Sequence, residues 1–278
     1  MRQYISPDSQ QYFAFNVWSI PSAKAVMDAA SQLKCDIILQ TSMKAFEQLD
    51  VEEFRAYVKS YSRKKQINVY LHLDHCRDID QIHTAVECGW DSVMIDASDE
   101  PIDENIRLTN QVIEIARKKG VLVEAEVGQI RGQEDEISSV ESGVARMEDI
   151  DRFVRNTRID MLAAAIGTVH GQYKGVPDLH FDMIREINRM TNIPLVVHGG
   201  SGLSDEILRK LLTYSSVKKI NISTDVKLAY GRGITEGIHE NSVDKAGFDP
   251  LAIETHIHDA IQNMTTGKLR LLGKISLS

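Results

Sequence analysis

INVYLHLDHC, residues 67–76, is an apolar run that stops abruptly on an acid and an imidazole, Asp74 and His75. Successive strand side chains point to opposite sides, so the alternating Val69, Leu71 and Leu73 read as the inward face of a buried strand. Asp74 and His75 then sit where the strand leaves the core, the end at which parallel α/β sheets place their chemistry. Two later apolar runs also stop on a histidine, LAAAIGTVHG near His170 and IPLVVHGGSG at His198. Three strand ends delivering three imidazoles to one rim predict a metal site.

Working outward, YFAFNVW (12–18) reads as a first strand with Asn16 at its exit, and Pro21 opens a helix. CDIILQTS (35–42) is a second strand, residues 51–64 form a charged amphipathic helix, and a further helix spans about 78–88. DSVMIDAS delivers Asp96 at the end of a fourth strand, and Pro101 starts a helix reaching Lys119. In VLVEAEVG, Glu124 and Glu126 share one face, and two carboxylates on an apolar strand need partners. Residues 129–146 lack clear periodicity and read as a mobile polar loop of the kind that serves as a lid. MLAAAIG, PLVVHGG and VKKINIST supply three more strands with helices between them, and a long helical region closes the chain. No linker or internal repeat divides this alternation. It predicts a single (β/α)8 TIM barrel over residues 1–278 with an extra C-terminal helical region, rather than a doubly wound sheet.

The 278 residues, 42% hydrophobic and 26% charged, suit one such barrel. A formal net charge of -8 argues against a nucleic acid partner, whose phosphates would be repelled. MRQYISPDSQQ has no basic segment followed by an apolar core, and no apolar run reaches the ~18 residues of a membrane span. A cytoplasmic protein with no membrane partner is expected. Cys35, Cys76 and Cys88 have no CxxC spacing and cannot all pair, which suits reduced thiols. Cys76 adjoins His75, and neighbouring strand side chains diverge, so it is not read as a ligand.

Asn16, Ser42, Asp74, His75, Asp96, Glu126, His170, His198 and Asn221 all lie at or just after a predicted strand end. In a barrel those ends share one face. Three neutral imidazoles with an open coordination position make a catalytic zinc site, not a closed structural one. Glu126 and Asp96 are read as orienting the ligands or as an alternate metal position, unless they simply pair with a basic side chain. HGGSG (198–202) and NISTD (221–225) each lead into a helix, and backbone N–H groups at such turns bind phosphate. Gly199, Gly200, Ser201, Asn221, Ser223 and Thr224 are therefore phosphate candidates, with Lys174 of GQYKG supplying charge. Tight turns call for the same glycines.

Taken in order, AFNVWS, IILQTS, LHLDH, SVMIDAS, EAEVGQIRGQED, AIGTVHGQYKG, PLVVHGGSG and KINISTD resemble the class II, zinc-dependent ketose-bisphosphate aldolases of fructose- and tagatose-bisphosphate type, over about residues 12–270. The resemblance implies that His75, His170 and His198 bind zinc with Glu126 nearby, and that Asp74 is the acid/base at the oxygen of the cleaved carbon–carbon bond. It makes Glu134 the glutamate that takes a proton from the ketone phosphate. Gly171, Lys174, Gly199, Ser201, Ser223 and Thr224 would hold the phosphate, some through a monovalent cation such as Na+ or K+, and Asn16 and Ser42 would border the pocket. The implied reaction is reversible cleavage of a ketose phosphate to dihydroxyacetone phosphate and an aldehyde, by a homodimer or homotetramer acting on a small sugar phosphate.

Four departures bear on substrate and packing. Asp249-Pro250-Leu251 stands where the family's Asp-Pro-Arg supplies an arginine for a second phosphate, which leaves open both a fructose- or tagatose-bisphosphate-like substrate and one phosphorylated at the ketone end alone. Ser223 replaces the family's aspartate or alanine, and ASDEPIDEN replaces its usual glycine-serine-histidine-leucine-proline run. The segment before Tyr12 is short and lacks the leading helix, leaving the barrel's bottom less covered. Two other classes use the same residues: a non-catalytic metal- and phosphate-binding sensor, which has no need of Asp74 or Glu134, and a metal-dependent phosphoester hydrolase.

Overall fold

The computed structural model describes residues 4–134, 137–139, 144–173, 175, 177–240 and 248–274, with backbone alone at 131, 133, 134, 137–139 and 274. The chain runs β1 (Tyr12–Asn16), α1 (Ile20–Leu33), β2 (Ile37–Ser42), α2 (Met43–Gln48), α3 (Val51–Lys65), β3 (Val69–Cys76), α4 (Ile79–Glu87), β4 (Ser92–Ile95), α5 (Ile102–Arg117) and β5 (Leu122–Val127). It continues β6 (Arg131–Glu134), β7 (Ile137–Ser139), α6 (Met147–Asn156), β8 (Met161–Ala164), β9 (Val169–His170) and α7 (Phe181–Met190). β10 (Leu195–Val197), α8 (Asp205–Leu212), β11 (Val217–Ile222), α9 (Thr224–Glu240) and α10 (Pro250–Leu269) complete it.

The expected barrel closes in the order β1-β11-β10-β8-β5-β4-β3-β2, each strand parallel to its neighbours. Helix starts follow the sequence signals. Ser19 and Ser22 form a capping box at α1, Asp78 accepts from the Asp80 and Gln81 amides at α4, and Ser204 accepts from Ile207 at α8. No helix among the described residues is long and apolar enough to cross a membrane.

Lumen-facing side chains stack in layers two residues apart along each strand. Tyr12, Ile38, Leu122, Met161 and Val196 make an apolar floor. Gln40, His72, Glu124 and Lys219, all fully buried, form a polar middle layer, and Asn16, Asp74, Glu126, His198 and Asn221 form the top. This reverses the reading of β3. Val69, Leu71 and Leu73 belong to the large core between strands and helices, with Phe54 and Val58 of α3, whereas Tyr70, His72 and Asp74 face the lumen. Alternation distinguishes two faces without saying which one meets helices. In a barrel the helix side is the more apolar.

Two further expectations are corrected. The stretch 129–146 is not wholly irregular: β6 and β7 pair antiparallel, and β6 pairs parallel with β9 in a separate three-stranded sheet, order β7-β6-β9. The barrel's bottom is also covered, because Tyr4 and Ile5 are buried in the floor cluster. The Tyr4 ring stacks on Tyr70 with centroids 4.1 Å apart and meets Tyr12 edge-on at 6.0 Å. One aromatic side chain fills the opening that a helix would otherwise cap.

Candidate metal centre and active site

The end of β3 is bent. Its register against β4 shifts between Leu73 and Cys76, and His75 adopts a left-handed φ of 48°. Such a bulge re-aims a side chain, and a non-glycine residue held there costs of order 1–3 kcal/mol. Adjacent residues would otherwise diverge. Here Asp74 enters the lumen while His75 leans over it, and the following Cys76 sulfur instead meets the Asp78 carbonyl at 3.3 Å.

His75 Nδ1 is 2.8 Å from Asp96 Oδ2, and His198, just past β10, has Nε2 2.8 Å from Glu124 Oε1. An ionised carboxylate only accepts, so each outer nitrogen carries the proton and each inner nitrogen presents a lone pair. Those inner nitrogens, His75 Nε2 and His198 Nδ1, face each other at 2.7 Å.

His170 reaches the group from β9, outside the barrel, because two glycines leave it room. A Cβ at Gly132 of β6 would overlap the His170 carbonyl oxygen, and one at Gly199 would overlap that of Val169. Ligand atoms of His75, His170, His198 and Glu126, all four buried, lie within 4.8 Å of one another.

The group fits a metal ion. Two opposed lone pairs repel unless a cation or a proton lies between them. Glu126 Oε2 is buried without a hydrogen-bond partner, 3.7 Å from His198 Nδ1. Three imidazoles and one carboxylate, with protons on the outer nitrogens, suit a borderline-soft divalent ion such as zinc. Without the ion, a proton on His75 takes the place between the two nitrogens. Burial opposes charge on His75, but the Asp74 and Asp96 carboxylates outweigh it and raise its pKa well above the usual value. Burial and the neighbouring His75 lower that of His198. Burial and the Asp96 charge push Glu126 up to about 8.

Asp74 is held by amides from three strands. Asn16 Nδ2 at 3.2 Å and Gln40 Nε2 at 2.9 Å donate to Oδ2, and Asn221 Nδ2 at 3.1 Å donates to Oδ1. Below it, Lys219 Nζ donates to Glu124 Oε2 at 2.8 Å, which supplies a partner for one of the two carboxylates on β5. Gln40, His72, Glu124 and Lys219 were not singled out as site residues in the sequence. The available signal was period two: His72 precedes Asp74 and Glu124 precedes Glu126 by two residues, on the same face.

The glycine loops are more self-occupied than their composition suggests. The Gly200 amide donates to the Asn221 carbonyl at 3.0 Å, and Ser201 Oγ accepts from the Ser223 and Asp225 amides, both at 3.1 Å. Asn221 is turned to Asp74. Ser223 Oγ and Thr168 Oγ1 are buried without partners. Gly171 follows the β9 histidine with φ 90°, and Thr224 is the first residue of α9. Ser42 caps α2, accepting from the Ala45 amide at 3.4 Å. Lys174 lies outside the described residues, as does the Glu134 side chain. Leu251, on the first turn of α10, is 72% exposed.

Residues 5–276 match the family model for fructose-bisphosphate aldolase class-II. The fructose-bisphosphate aldolase of Geobacillus stearothermophilus is 36% identical over 262 residues, 93% of this chain and 90% of that protein. The 6-phospho-5-dehydro-2-deoxy-D-gluconate aldolase of Bacillus subtilis (strain 168) is 36% identical over 282 residues, 98% and 94% of the two chains. The crystal structure of the YdjI aldolase from Escherichia coli K12 superposes with a TM-score of 0.79 at 28% identity, covering 96% of this chain and 93% of that one.

Proposed function

The chain belongs to the class II fructose-bisphosphate aldolase family and is a carbon–carbon lyase acting on sugar phosphates, and from that premise we propose a zinc-dependent enzyme that reversibly cleaves a ketose phosphorylated at its ketone end to dihydroxyacetone phosphate and an aldehyde. The observation that carries the metal reading is the pair of inner nitrogens 2.7 Å apart beside the unpartnered Glu126 oxygen. His75, His170, His198 and Glu126 would hold the ion, with Asp96 and Glu124 keeping protons on the outer nitrogens. A divalent ion in that position supplies Lewis acidity, lowering the cost of negative charge on a ketone oxygen as the carbon–carbon bond breaks.

The rest of the chemistry falls to this chain's side chains. Asp74, its oxygens fixed by three amides, takes the proton from the hydroxyl at the bond being cleaved and returns it in the reverse direction. Glu134 is assigned the proton on the carbon of the ketone phosphate. Its strand supports this, since β6 pairs Gly132 with His170 and so ties the proton carrier to a metal ligand. Ser223 Oγ and Thr168 Oγ1, buried without partners, together with Gly171, Gly199, Thr224 and Lys174, are the donors offered to the phosphate or to a monovalent cation beside it. The protein acts as a homo-oligomer in the cytoplasm.

Both named relatives act on phosphorylated substrates, but one name specifies a bisphosphate and the other a gluconate, whose far end is a carboxylate. The exposed, uncharged Leu251 argues against a second phosphate here. The test is incubation of zinc-loaded protein with fructose- and tagatose-bisphosphate, ketose monophosphates and carboxylate-bearing ketose phosphates, with enzymatic detection of dihydroxyacetone phosphate. Release of triose phosphate from a substrate with one phosphate is expected. Inorganic phosphate as the product would instead make it a hydrolase, and metal binding without turnover of any substrate would make it a sensor.

A further inference from the structure

The geometry points to Tyr4, at the far end of the barrel from the histidines, as a positioning residue of the metal centre, acting through a polar column Tyr4–Ser92–His72–Glu124–His198 whose His72–Glu124 step is electrostatic and whose other steps are hydrogen bonds. This rests on reading the histidine cluster as a metal site, and the column itself is drawn from contacts that do not depend on it. Tyr4 Oη lies 2.6 Å from Ser92 Oγ, and Ser92 Oγ lies 2.7 Å from His72 Nδ1. His72 Nε2 is buried without a hydrogen-bond partner, and the carboxylate oxygens it faces are Glu124 Oε2 at 3.5 Å and Asp74 Oδ1 at 3.9 Å. Glu124 Oε1 in turn takes the proton of His198 Nε2 at 2.8 Å, leaving His198 Nδ1 for the ion.

Proton counting gives the column a direction. The Tyr4 hydroxyl is buried and Ser92 is its hydrogen-bond partner, so accepting from Ser92 would leave the phenolic proton without an acceptor, at a cost comparable to a lost hydrogen bond. Tyr4 therefore donates to Ser92, whose one proton passes to His72 Nδ1. Burial and the Lys219 ammonium keep the His72 imidazole neutral, so its single proton is on Nε2, directed at Glu124. Glu124 is then held by hydrogen bonds from Lys219 Nζ and His198 Nε2, and the His72 Nε2–H dipole, facing its Oε2 from 3.5 Å, favours that orientation of the carboxylate. Without the Tyr4 hydroxyl, Ser92 can accept from His72 Nδ1–H instead. The tautomer is released, and Glu124 faces a bare nitrogen.

The test uses the full-length protein with 15N-labelled histidine, native and as Tyr4→Phe, which keeps the stack on Tyr70 and removes only the hydroxyl. Imidazole 15N shifts of the metal-free native protein are expected to show His72 protonated on Nε2 alone, and those of Tyr4→Phe a mixture of tautomers. Zinc affinity, read by competition with a chromogenic chelator, is expected to weaken about tenfold in Tyr4→Phe, the lower end of what loss of a ligand's outer partner causes. kcat should fall more than KM rises. Ser92→Ala breaks the column one step higher and should reproduce both changes, which keeps the test decisive should Tyr4→Phe fold poorly. A single unchanged His72 tautomer with unchanged zinc affinity in both variants, while Tyr4→Ala lowers the melting temperature, would make Tyr4 a plug and nothing more. If the native protein binds no zinc, the metal reading fails, and the His72 shifts still decide whether the column is real.

Discussion

His75 Nε2 lies 2.7 Å from His198 Nδ1, across the barrel, on elements 123 residues apart in sequence. β3 and β10 are four steps from one another in the eight-strand order, so the contact joins opposite walls of the mouth. Carboxylates behind both rings hold the lone pairs inward, and the pair is poised for a cation.

The first expected outcome concerns that cation. Zinc should raise the melting temperature and a chelator should lower it, because an ion that binds only the folded chain adds about 2.7 kcal/mol at a hundredfold excess over its Kd. His198→Ala should abolish most of this shift. Calorimetric titration of both proteins checks it, and an unaltered zinc Kd in the variant would remove His198 from the ligand set.

Asp74→Ala separates binding from chemistry. Its oxygens are engaged by Asn16, Gln40 and Asn221, none of them in the metal cluster. Zinc content should stay near native while turnover falls roughly 10²–10⁴-fold, the range for loss of a positioned acid/base. Metal analysis beside steady-state kinetics is the measurement. Parallel loss of zinc would mean that Asp74 orients a ligand instead.

The ion pair in the lumen gives a stability prediction. Lys219 and Glu124 are both fully buried and 2.8 Å apart. Removing the cation alone leaves a buried carboxylate short of its counter-charge, at a cost of about 3–5 kcal/mol. Lys219→Met should lower the urea midpoint accordingly, and Lys219→Met with Glu124→Gln should recover much of the loss. A double variant no more stable than the single one would contradict the pairing.

Much of this site is legible along the chain because its ligands end apolar runs. LHLDH and VVHGG each deliver a histidine as the strand exits, and EAEVG sets two acids on one face. What escapes is set by partners distant in sequence. Lys219 is one lysine in a short strand until the barrel brings it to Glu124, 95 residues away. The β6–β7 pairing escapes because RGQE and ISS, two short strands with Ile137 as their one aliphatic residue, carry no alternation to read. Tyr4 escapes because one aromatic in a polar tail has no period at all.

The metal-free protein should grow less stable as pH rises from about 4.5 toward 8. Burial first, and the Asp96 charge second, push the Glu126 pKa up to about 8, whereas in the unfolded chain it titrates near the usual glutamate value of 4.5. Between those values the unfolded state binds fewer protons than the folded one at this group, so its contribution is full below 4.5 and lost progressively up to 8. Zinc, which needs the carboxylate ionised, should flatten or reverse the slope. Melting temperatures at pH 5, 6.5 and 8 with and without zinc test this; a metal-free curve that rises with pH throughout would contradict a protonated Glu126.

Gly132→Ala isolates the outer sheet. A methyl group there collides with the His170 carbonyl oxygen, and the backbone φ of 108° is itself unfavourable to a side chain. β6 and β9 must therefore separate, and His170, which sits on β9 and loses its pairing with Gly132, shifts relative to His75 and His198 while the eight-strand barrel keeps its own pairings. Zinc affinity and turnover should both fall at least tenfold, by the same logic that makes a displaced ligand costly, with a melting temperature close to native. Gly231→Ala, in helix α9 with open space around the added methyl, serves as the comparison and should be neutral or stabilise by roughly 0.5–1 kcal/mol. Native zinc affinity in Gly132→Ala would mean that the outer sheet does not set the place of His170.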